Sequence, residues 1–206
     1  RTAVAVNVTA LPAIPTADDV TVCAATTATL TVKTLEPGIT YNWYTVATGG
    51  APIANGTSFT TSTLTSNRTY YLEAVSANGC ASATRRAVTV TVTPQPAQPS
   101  APDYTVCYGQ RVTMAVASPD GNVIYRWYDR TGAPLATGIS YTTEAQTANT
   151  TFYVEAVTQT SPACVSPREA INVNVTALPA TPVVDNVTIC TGGSTTLFVK
   201  SASPAS

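Results

Sequence analysis

Five cysteines are the side chains whose chemistry and spacing stand out in this 206-residue chain. Cys23, Cys107 and Cys190 recur at a nearly constant interval along the sequence. The interval from Cys23 to Cys80 equals the interval from Cys107 to Cys164. Because the chain has no histidine and no CxxC pair, this spacing does not indicate a zinc site. Regularly repeated cysteines indicate disulfide bonds, and hence an oxidising, extracellular location.

Composition excludes several classes of function. Without histidine there is no Ser-His or Cys-His pair, and the eleven carboxylates form no metal-binding motif, so we expect neither catalysis nor a cofactor. Only 10% of the residues are charged and the net charge is −1, which disfavours nucleic acid and anionic lipid as partners. No apolar run approaches the roughly 20 residues of a membrane span, so no membrane insertion is expected.

Each of the three regularly spaced cysteines ends a short alternating strand, which a turn of about four residues connects to a second alternating strand. Self-similarity at a fixed period is typical of tandem repeats. The predicted divisions are the last strand of a preceding repeat (1–10), two full repeats (11–93 and 94–177), and the first two strands of a following repeat (178–206). Proline-bearing connectors enter each repeat and favour extended, semi-rigid links.

The first segment, Arg1–Thr9, resembles the final strand of the later repeats. Its Val4, Val6 and Val8 alternate with small or polar residues, as do Val88, Val90 and Val92. Such period-two alternation predicts a strand with one buried face. Because the chain begins inside a predicted strand and has no signal peptide, we interpret it as a mature or excised segment.

Each full repeat is predicted to contain seven short strands separated by Pro, Gly and Asn turn signals. In the first repeat they are 19–23, 28–33, 40–46, 51–54, 57–61, 69–76 and 86–93. In the second they are 103–107, 112–117, 123–129, 133–136, 139–143, 151–158 and 170–176. This pattern predicts an all-β chain of tandem immunoglobulin-like β-sandwiches in an extended rod, with Trp43 and Trp127 on the third strands as the central core aromatics.

The motifs Tyr41-Asn42-Trp43-Tyr44, Ala47-Thr48-Gly49-Gly50, Tyr70-Tyr71-Leu72-Glu73 and Gly79-Cys80 resemble the Ig-like repeats of Bacteroidota cell-surface proteins. The nearest set is the CHU_C-associated type, found in the C-terminal regions of gliding-motility adhesins such as SprB-like adhesins exported by the type IX system. The resemblance covers essentially the whole chain. It implies a secreted cell-surface adhesin or stalk and carries over no catalytic or binding residue, because the shared positions are core and turn positions.

Two disulfide patterns are open on sequence grounds. Pairing within repeats would join Cys23 to Cys80 and Cys107 to Cys164. In a sandwich, however, the first turn and the last hairpin lie at opposite ends of strands about 20 Å long, whereas a disulfide needs Cα atoms within about 7 Å. We therefore prefer Cys23–Cys164, between repeats, which leaves partners outside the segment for Cys80, Cys107 and Cys190.

Glu73 and Glu155 occupy equivalent positions and are predicted to form cross-strand ion pairs with Arg85 and Arg168 rather than a paired acid site. A weaker metal hypothesis is calcium at the repeat junctions, where one or two acids fall each time, although calcium prefers more oxygen ligands. The acids in question are Asp18, Asp19, Asp103 and Asp185. An isopeptide cross-link is disfavoured, because Lys33 and Lys200 are equivalent but the second repeat has Ala117 there.

Tyr44, Tyr128, Arg126 and Arg130 alternate with the core tryptophans or follow them closely. They are either an exposed face for glycan stacking or, as we prefer, residues that cover the sheet surface or pack against a neighbour. The expected function is therefore a non-enzymatic stalk or filament segment of a surface adhesin, in adhesion or gliding motility. Its expected partners are neighbouring repeats, with surface polysaccharide or other cells as further candidates. The alternatives are an array of carbohydrate-binding modules, or a self-assembling pilus that uses Arg1–Thr9 as a donated strand.

Overall fold

The computed structural model describes residues 2–4 and 8–200, and every regular element in this part of the chain is a β-strand. Two compact units are present. The first contains Arg1–Pro96 together with Thr158–Val165, and the second contains Ala97–Val157 together with Ser166–Ser206. Among the described residues, no helix has the length and apolar character needed to cross a membrane.

The first unit is a two-layered sandwich of seven strands. One layer is a five-stranded sheet in the order β1-β7-β6-β3-β4, and the other is the pair β2-β5. Strand β1 runs parallel to β7, whereas the other neighbours are antiparallel. The strands are β1 Val20–Cys23, β2 Thr29–Thr31, β3 Ile39–Tyr44, β4 Ala54–Asn55, β5 Ser58–Thr60, β6 Arg68–Ser76 and β7 Arg86–Thr93.

The core of the first unit follows from the alternation of its strands, because every second side chain points between the layers. Trp43 is fully buried at the centre of β3 and packs beside Phe59 of the facing β5. Its indole Nε1 donates a hydrogen bond to the carbonyl oxygen of Gly56, at 3.1 Å. Leu30 of β2 and Leu72 of β6 are also fully buried, and they pack into the core from opposite layers. The tryptophan therefore both fills the core and ties the β4–β5 turn to it.

The second unit repeats this architecture. Its larger sheet has the order β11-β10-β13-β14-β8, with β8 parallel to β14, and the pair β12-β9 forms the other layer. Trp127 is fully buried, and its Nε1 donates to the carbonyl oxygen of Gly138 at 2.8 Å. The strands are β8 Tyr104–Cys107, β9 Thr113–Ala115, β10 Val123–Tyr128, β11 Pro134–Thr137, β12 Ser140–Thr142, β13 Thr150–Thr158 and β14 Glu169–Thr176.

All fourteen strands of the two full repeats lie at or beside their predicted positions, and the predicted all-β, tandem Ig-like class is confirmed. The largest displacement concerns β4, predicted at 51–54 and observed at Ala54–Asn55. Pro52 has no backbone N–H to donate to a neighbouring strand, so the hydrogen-bonded pairing of β4 with β3 begins only after this residue.

The segment after the second unit's last strand forms a short antiparallel pair, β15 Val183–Val184 with β16 Val199–Lys200. It reproduces the entry of the first repeat: Lys200 pairs with Asp185 at 2.7 Å, as Lys33 does with Asp18. Leu197 is exposed, whereas the equivalent Leu30 is fully buried. The two alternating strands expected before and after Cys190 are not formed, since residues 185–198 carry no strand and no described strand covers this apolar face.

At the N-terminal end, residues 2–4 and 8–9 have no strand assignment, and Val4 and Val8 are exposed. A strand forms only where a neighbour can accept its backbone hydrogen bonds, and no described residue pairs with this segment. The expected strand over Arg1–Thr9 is therefore not observed in its described part, and the remainder, including Arg1 and Val6, lies outside the described residues.

Candidate functional site

The principal chemical feature of the chain is a disulfide bond between Cys23 and Cys164. Their Cα atoms are 5.5 Å apart, and 141 residues separate them in sequence. Both cysteines belong to the first compact unit, because residues Thr158–Val165 cluster with it. This is the pairing between sequence repeats that was preferred on topological grounds.

The backbone presents Cys23 at the end of the first unit where β1 and β7 finish. Cys23 lies in register with Thr93, the last residue of β7. Beyond it, the N–H of Ala24 donates to the Thr93 carbonyl at 2.8 Å, and the N–H of Ala25 donates to the Leu64 carbonyl at 2.8 Å. Ala25 adopts a left-handed conformation with φ 61°, which turns the chain back at this point. The turn thus holds the Cys23 side chain at the end of the sheet.

Cys164 is held by its own hairpin. Its N–H donates to the hydroxyl oxygen of Thr158 at 2.8 Å, and its carbonyl accepts from the N–H of Thr158 at 2.9 Å. Its sulfur lies 3.9 Å from the carbonyl oxygen of Thr93, and only 1% of the residue is exposed. The bond is therefore enclosed on the side of Cys164, whereas Cys23 is only partly buried.

The alternative Cys23–Cys80 pairing is not formed, because the two residues lie at opposite ends of β7. Cys23 is level with Thr93, whereas Cys80 precedes Arg86, the first residue of the same eight-residue strand. At about 3.3 Å per residue such a strand spans roughly 25 Å, far beyond the reach of a disulfide. Cys80, Cys107 and Cys190 are free thiols in this structure.

A polar cluster lies on the outer face of the first unit's larger sheet. The Tyr44 hydroxyl donates to one oxygen of Glu73 at 2.7 Å, and the Arg85 Nε donates to the other at 3.2 Å. The guanidinium carbon of Arg85 lies 3.3 Å from the centre of the Tyr44 ring, a cation–π arrangement. Arg85 also donates to the carbonyl oxygens of Val46 and Gly49 in the loop after β3. We call the side chains of Tyr44, Glu73 and Arg85 the Tyr–Glu–Arg cluster.

The second unit contains the same cluster. Tyr128 donates to Glu155 at 2.6 Å, Arg168 Nε donates to Glu155 at 2.9 Å, and the guanidinium lies 3.8 Å from the tyrosine ring centre. Both predicted Glu–Arg ion pairs are thus present. The sequence interpretation did not include the tyrosines in them, although Tyr44 and Tyr128 recur at the same place in each repeat.

The cluster also corrects the hypothesis of an exposed aromatic face. Tyr44 is only 5% exposed, and Tyr128 is half-buried under Arg168. The arginine occupies one face of each ring, and a sugar that stacked on that face would have to displace it, because both cations and sugars bind aromatic rings on their faces. Arg126 and Arg130 are exposed, and Arg126 lines an open depression together with Tyr128, over whose ring Arg168 lies. The preferred interpretation, a covered sheet surface, describes this region.

Replacing Glu73 by Gln is expected to lower the free energy of unfolding by about 2 kcal/mol, because it removes the acceptor charge for two enclosed donors. The matched control is Glu144→Gln, which breaks the Arg111–Glu144 pair at 2.7 Å, where both side chains are more than half exposed. For this exposed pair we expect a change below about 0.5 kcal/mol. Urea unfolding followed by circular dichroism measures both, and equal effects would contradict the assigned role of the cluster.

The cluster is also expected to respond to alkaline pH. Burial, and then the hydrogen bond and negative charge of Glu73, raise the pKa of Tyr44 above its ordinary value of 10.0. A pKa raised in the folded state contributes stability that is complete below pH 10 and is lost as the pH rises through the folded pKa. In a tyrosinate absorbance titration, Tyr44→Phe should remove one of the latest-titrating groups. If the variant removed an ordinary tyrosine titrating near pH 10, the prediction would be wrong.

The four junction aspartates are engaged in structural contacts. Asp19 and Asp103 accept backbone hydrogen bonds from Thr89 and Asn172, which ties each repeat's entry to its last strand. Those contacts lower the pKa of Asp103. Asp18 and Asp185 form the lysine ion pairs described above. Within the described residues, no three His, Cys, Asp or Glu side chains group together as a metal site would require.

An open depression of about 360 Å³ borders the cluster in the first unit, with Thr48, Ser82 and Thr84 among its lining residues. The only charged groups lining it are Glu73 and Arg85, and these bind each other. Ser82 donates its hydroxyl to the Thr84 carbonyl. A nucleophile beside a free general base, the minimum for acyl transfer, is not found among these lining residues.

Comparison with solved structures returns Ig-like and fibronectin-like modules. The fibronectin(III)-like modules of Clostridium thermocellum CbhA are 13% identical with a TM-score of 0.45, over 80% of this chain and 95% of that one. Chicken CNTN1 FN1–FN3 domains are 12% identical with a TM-score of 0.40, over 78% and 65%. The human OSCAR ligand-binding domain is 20% identical with a TM-score of 0.34, over 73% and 91%. No curated protein matches the chain significantly.

The model of the CHU_C-associated Ig-like domain matches the sequence twice in tandem, over residues 12–94 and 96–176. The two matches together cover most of the chain and contain both sandwiches, both core tryptophans and both Tyr–Glu–Arg clusters. The resemblance noted from the sequence motifs is thereby confirmed. The chain belongs to the family of CHU_C-associated Ig-like domains.

Proposed function

We propose that this chain is a non-enzymatic structural section of a large extracellular bacterial adhesin, where it serves as part of a stalk or filament in adhesion or gliding motility. The observation that carries the proposal is the covalent bond between consecutive sequence repeats, Cys23 of the first and Cys164 of the second. A bond of this kind is useful to a protein that transmits pulling force and is stable only outside a reducing cytoplasm.

Three further observations support a structural role. The chain consists of tandem Ig-like repeats, and the recurrent polar residues are used to hold loops and strands. One ring face of Tyr44 and one of Tyr128 are covered by arginine, and Tyr44 is buried as well, which argues against sugar stacking at these positions. Within the proposal, surface polysaccharide or other cells are partners of the parent adhesin, and export by the type IX system follows from the family resemblance.

Surface location and mechanical role can be tested together in a bacterium that expresses the parent protein. Antibodies against residues 11–177 should label intact cells, and external protease should remove the label. A parent protein carrying Cys164→Ser should reach the surface in equal amount but hold cells less well under fluid shear. Labelling that appears only after lysis would overturn the proposal, as would unchanged attachment of a deletion strain that lacks the whole parent protein.

The purified chain distinguishes the rival functions. A carbohydrate-binding array predicts that the chain binds in a glycan array, whereas a structural section predicts no such binding. A self-assembling pilus predicts concentration-dependent polymer that depends on the segment Arg1–Thr9. For the stalk we expect a monomer in sedimentation experiments when the three free cysteines are replaced (Cys80→Ser, Cys107→Ser, Cys190→Ser) and the Cys23–Cys164 bond is kept.

A further inference from the structure

The second repeat reproduces, without a bond, the surface that carries the disulfide in the first. Cys107 ends β8 in register with Thr176, the last residue of β14, just as Cys23 ends β1 opposite Thr93. The N–H of Tyr108 donates to the Thr176 carbonyl at 2.9 Å, which matches the Ala24 contact described above. The backbone after the two cysteines is therefore arranged in the same way.

The turn that follows is also the same. Gly109 adopts a left-handed conformation with φ 81° and donates to the Gln146 carbonyl at 2.7 Å, in the place of Ala25 and Leu64 in the first repeat. In contrast to Cys23, Cys107 has an exposed and free thiol, and Tyr108 beside it is about half exposed. The second repeat thus has the backbone arrangement that positions Cys23 for its disulfide, but its own cysteine, Cys107, is not bonded.

The hairpin between β6 and β7 in the first repeat supplies the complementary element. The N–H of Cys80 lies 3.2 Å from the hydroxyl oxygen of Ser76, and its carbonyl accepts from the N–H of Ser76 at 2.9 Å. These are the contacts that Cys164 makes with Thr158, although the loop of the first repeat is slightly shorter. Cys80 is only partly buried, and its thiol is free.

We propose that Cys107 is the covalent docking point for the cysteine-bearing hairpin of the repeat that follows, and that Cys80 is the corresponding donor to the repeat that precedes. Each repeat then carries two bonds, one in each direction along the array. The bonded loops overlap, so that every repeat lies within the loop of at least one bond. This inference depends on the equivalence of the two repeats and not on the location or adhesive role of the parent protein.

The bond forms by thiol–disulfide exchange, with a small disulfide such as oxidised glutathione as the oxidant. The Cys107 thiolate attacks one sulfur of the disulfide and expels a glutathione thiolate, which leaves a mixed disulfide on Cys107. The thiolate of the docked cysteine then attacks the Cys107 sulfur and expels the second glutathione. Two protein thiols are oxidised, one glutathione disulfide is reduced to two thiols, and each protein thiol releases its proton to solvent.

The test is a tandem fusion in which residues 1–177 are followed directly by residues 11–206 of a second copy. This junction preserves the repeat period, because Leu178-Pro179 and Leu11-Pro12 occupy equivalent positions. The separation of Cys107 in the first copy from Cys80 in the second is then close to the native Cys23–Cys164 separation of 141. The substitutions Cys80→Ser in the first copy and Cys107→Ser in the second leave a single Cys107, in the first copy, and a single Cys80, in the second.

After refolding with oxidised and reduced glutathione, tryptic digestion places Cys23, Cys80, Cys107, Cys164 and Cys190 on five separate peptides. We expect the Cys107 and Cys80 peptides to be joined, alongside the Cys23–Cys164 pair. The matched control adds Cys107→Ser to the first copy and should free Cys80 while it leaves the Cys23–Cys164 pair intact. A fusion that forms Cys23–Cys164 but leaves Cys107 alkylatable, or joins it to Cys190, would overturn the proposal.

A second measurement needs no fusion. Chains of residues 1–206 with Cys107 as the one free thiol (Cys80→Ser, Cys190→Ser) are mixed in equal amounts with chains that retain Cys80 instead (Cys107→Ser, Cys190→Ser). In the same glutathione buffer we expect the Cys107–Cys80 heterodimer to exceed the two homodimers together by at least fivefold. Unselective pairing yields a heterodimer share of about one half, and that result would refute the docking.

Discussion

Stretched from its two ends under oxidising conditions, the chain is expected to release much less contour length than it does after reduction. The Cys23–Cys164 bond closes a loop over a sequence separation of 141 residues. Residues inside a closed covalent loop cannot be extended by force applied outside it, even when they unfold. At roughly 3.4 Å per extended residue, the bond therefore withholds about 480 Å of contour length.

The measurement is single-molecule force spectroscopy with handles at both termini, in the presence and absence of a thiol reductant. Cys164→Ser is the matched variant and should behave as the reduced chain under both conditions. Cys190→Ser leaves the bond in place and should behave as the native chain. Equal total contour lengths for the oxidised native chain and Cys164→Ser would show that the bond does not form.

Replacement of Trp43 by Ala is expected to cost the first unit about 3–5 kcal/mol of stability, because it deletes the largest fully buried side chain of that core. The variant also leaves the Gly56 carbonyl without its indole donor. Since domains of this size are stable by roughly 5–15 kcal/mol, the loss is a large share of the total.

Amide hydrogen exchange is the suitable readout, because it reports the two units separately. Protection of β3 and β6 should fall by about a hundredfold to several thousandfold, whereas protection of β10 and β13, which pack around Trp127, serves as the internal reference. Trp43→Phe keeps a ring in the core and loses the N–H donor, so a smaller loss of about 1–3 kcal/mol is expected. A uniform loss of protection in both units would contradict the assignment of Trp43 to the first core alone.

Local sequence patterns predicted most of the fold because strand formation in this chain depends on short-range alternation. Val88 and Val90 are fully buried and their neighbours are not, as the period-two pattern of β7 requires. The tryptophans could be assigned to the core for the same reason. The segment at Arg1–Thr9 shows the limit of this reasoning, since alternation identifies a residue pattern suited to a strand but not the neighbour that a strand needs.

The candidate site was only partly predictable. The ion pairs of Glu73 and Glu155 followed from their place beside the last hairpin of each repeat. The covering of Tyr44 did not follow, because alternation assigns this residue to the outer face of the sheet and cannot show that Arg85, from much later in the chain, lies over that face. Side chains that approach from a distant part of the chain decide whether such a face is open.

The sequence by itself determined the family, the tandem repeats, the strand positions of the two full repeats and the two core tryptophans, because these depend on residue type and on spacing within a repeat. Only the tertiary structure decided which aromatic faces are covered and which cysteines are joined. Cys23 and Cys164 meet because β1 and β7 end together and residues 158–165 belong to the same compact unit. That proximity links positions separated by 141 residues, a distance over which no local pattern operates.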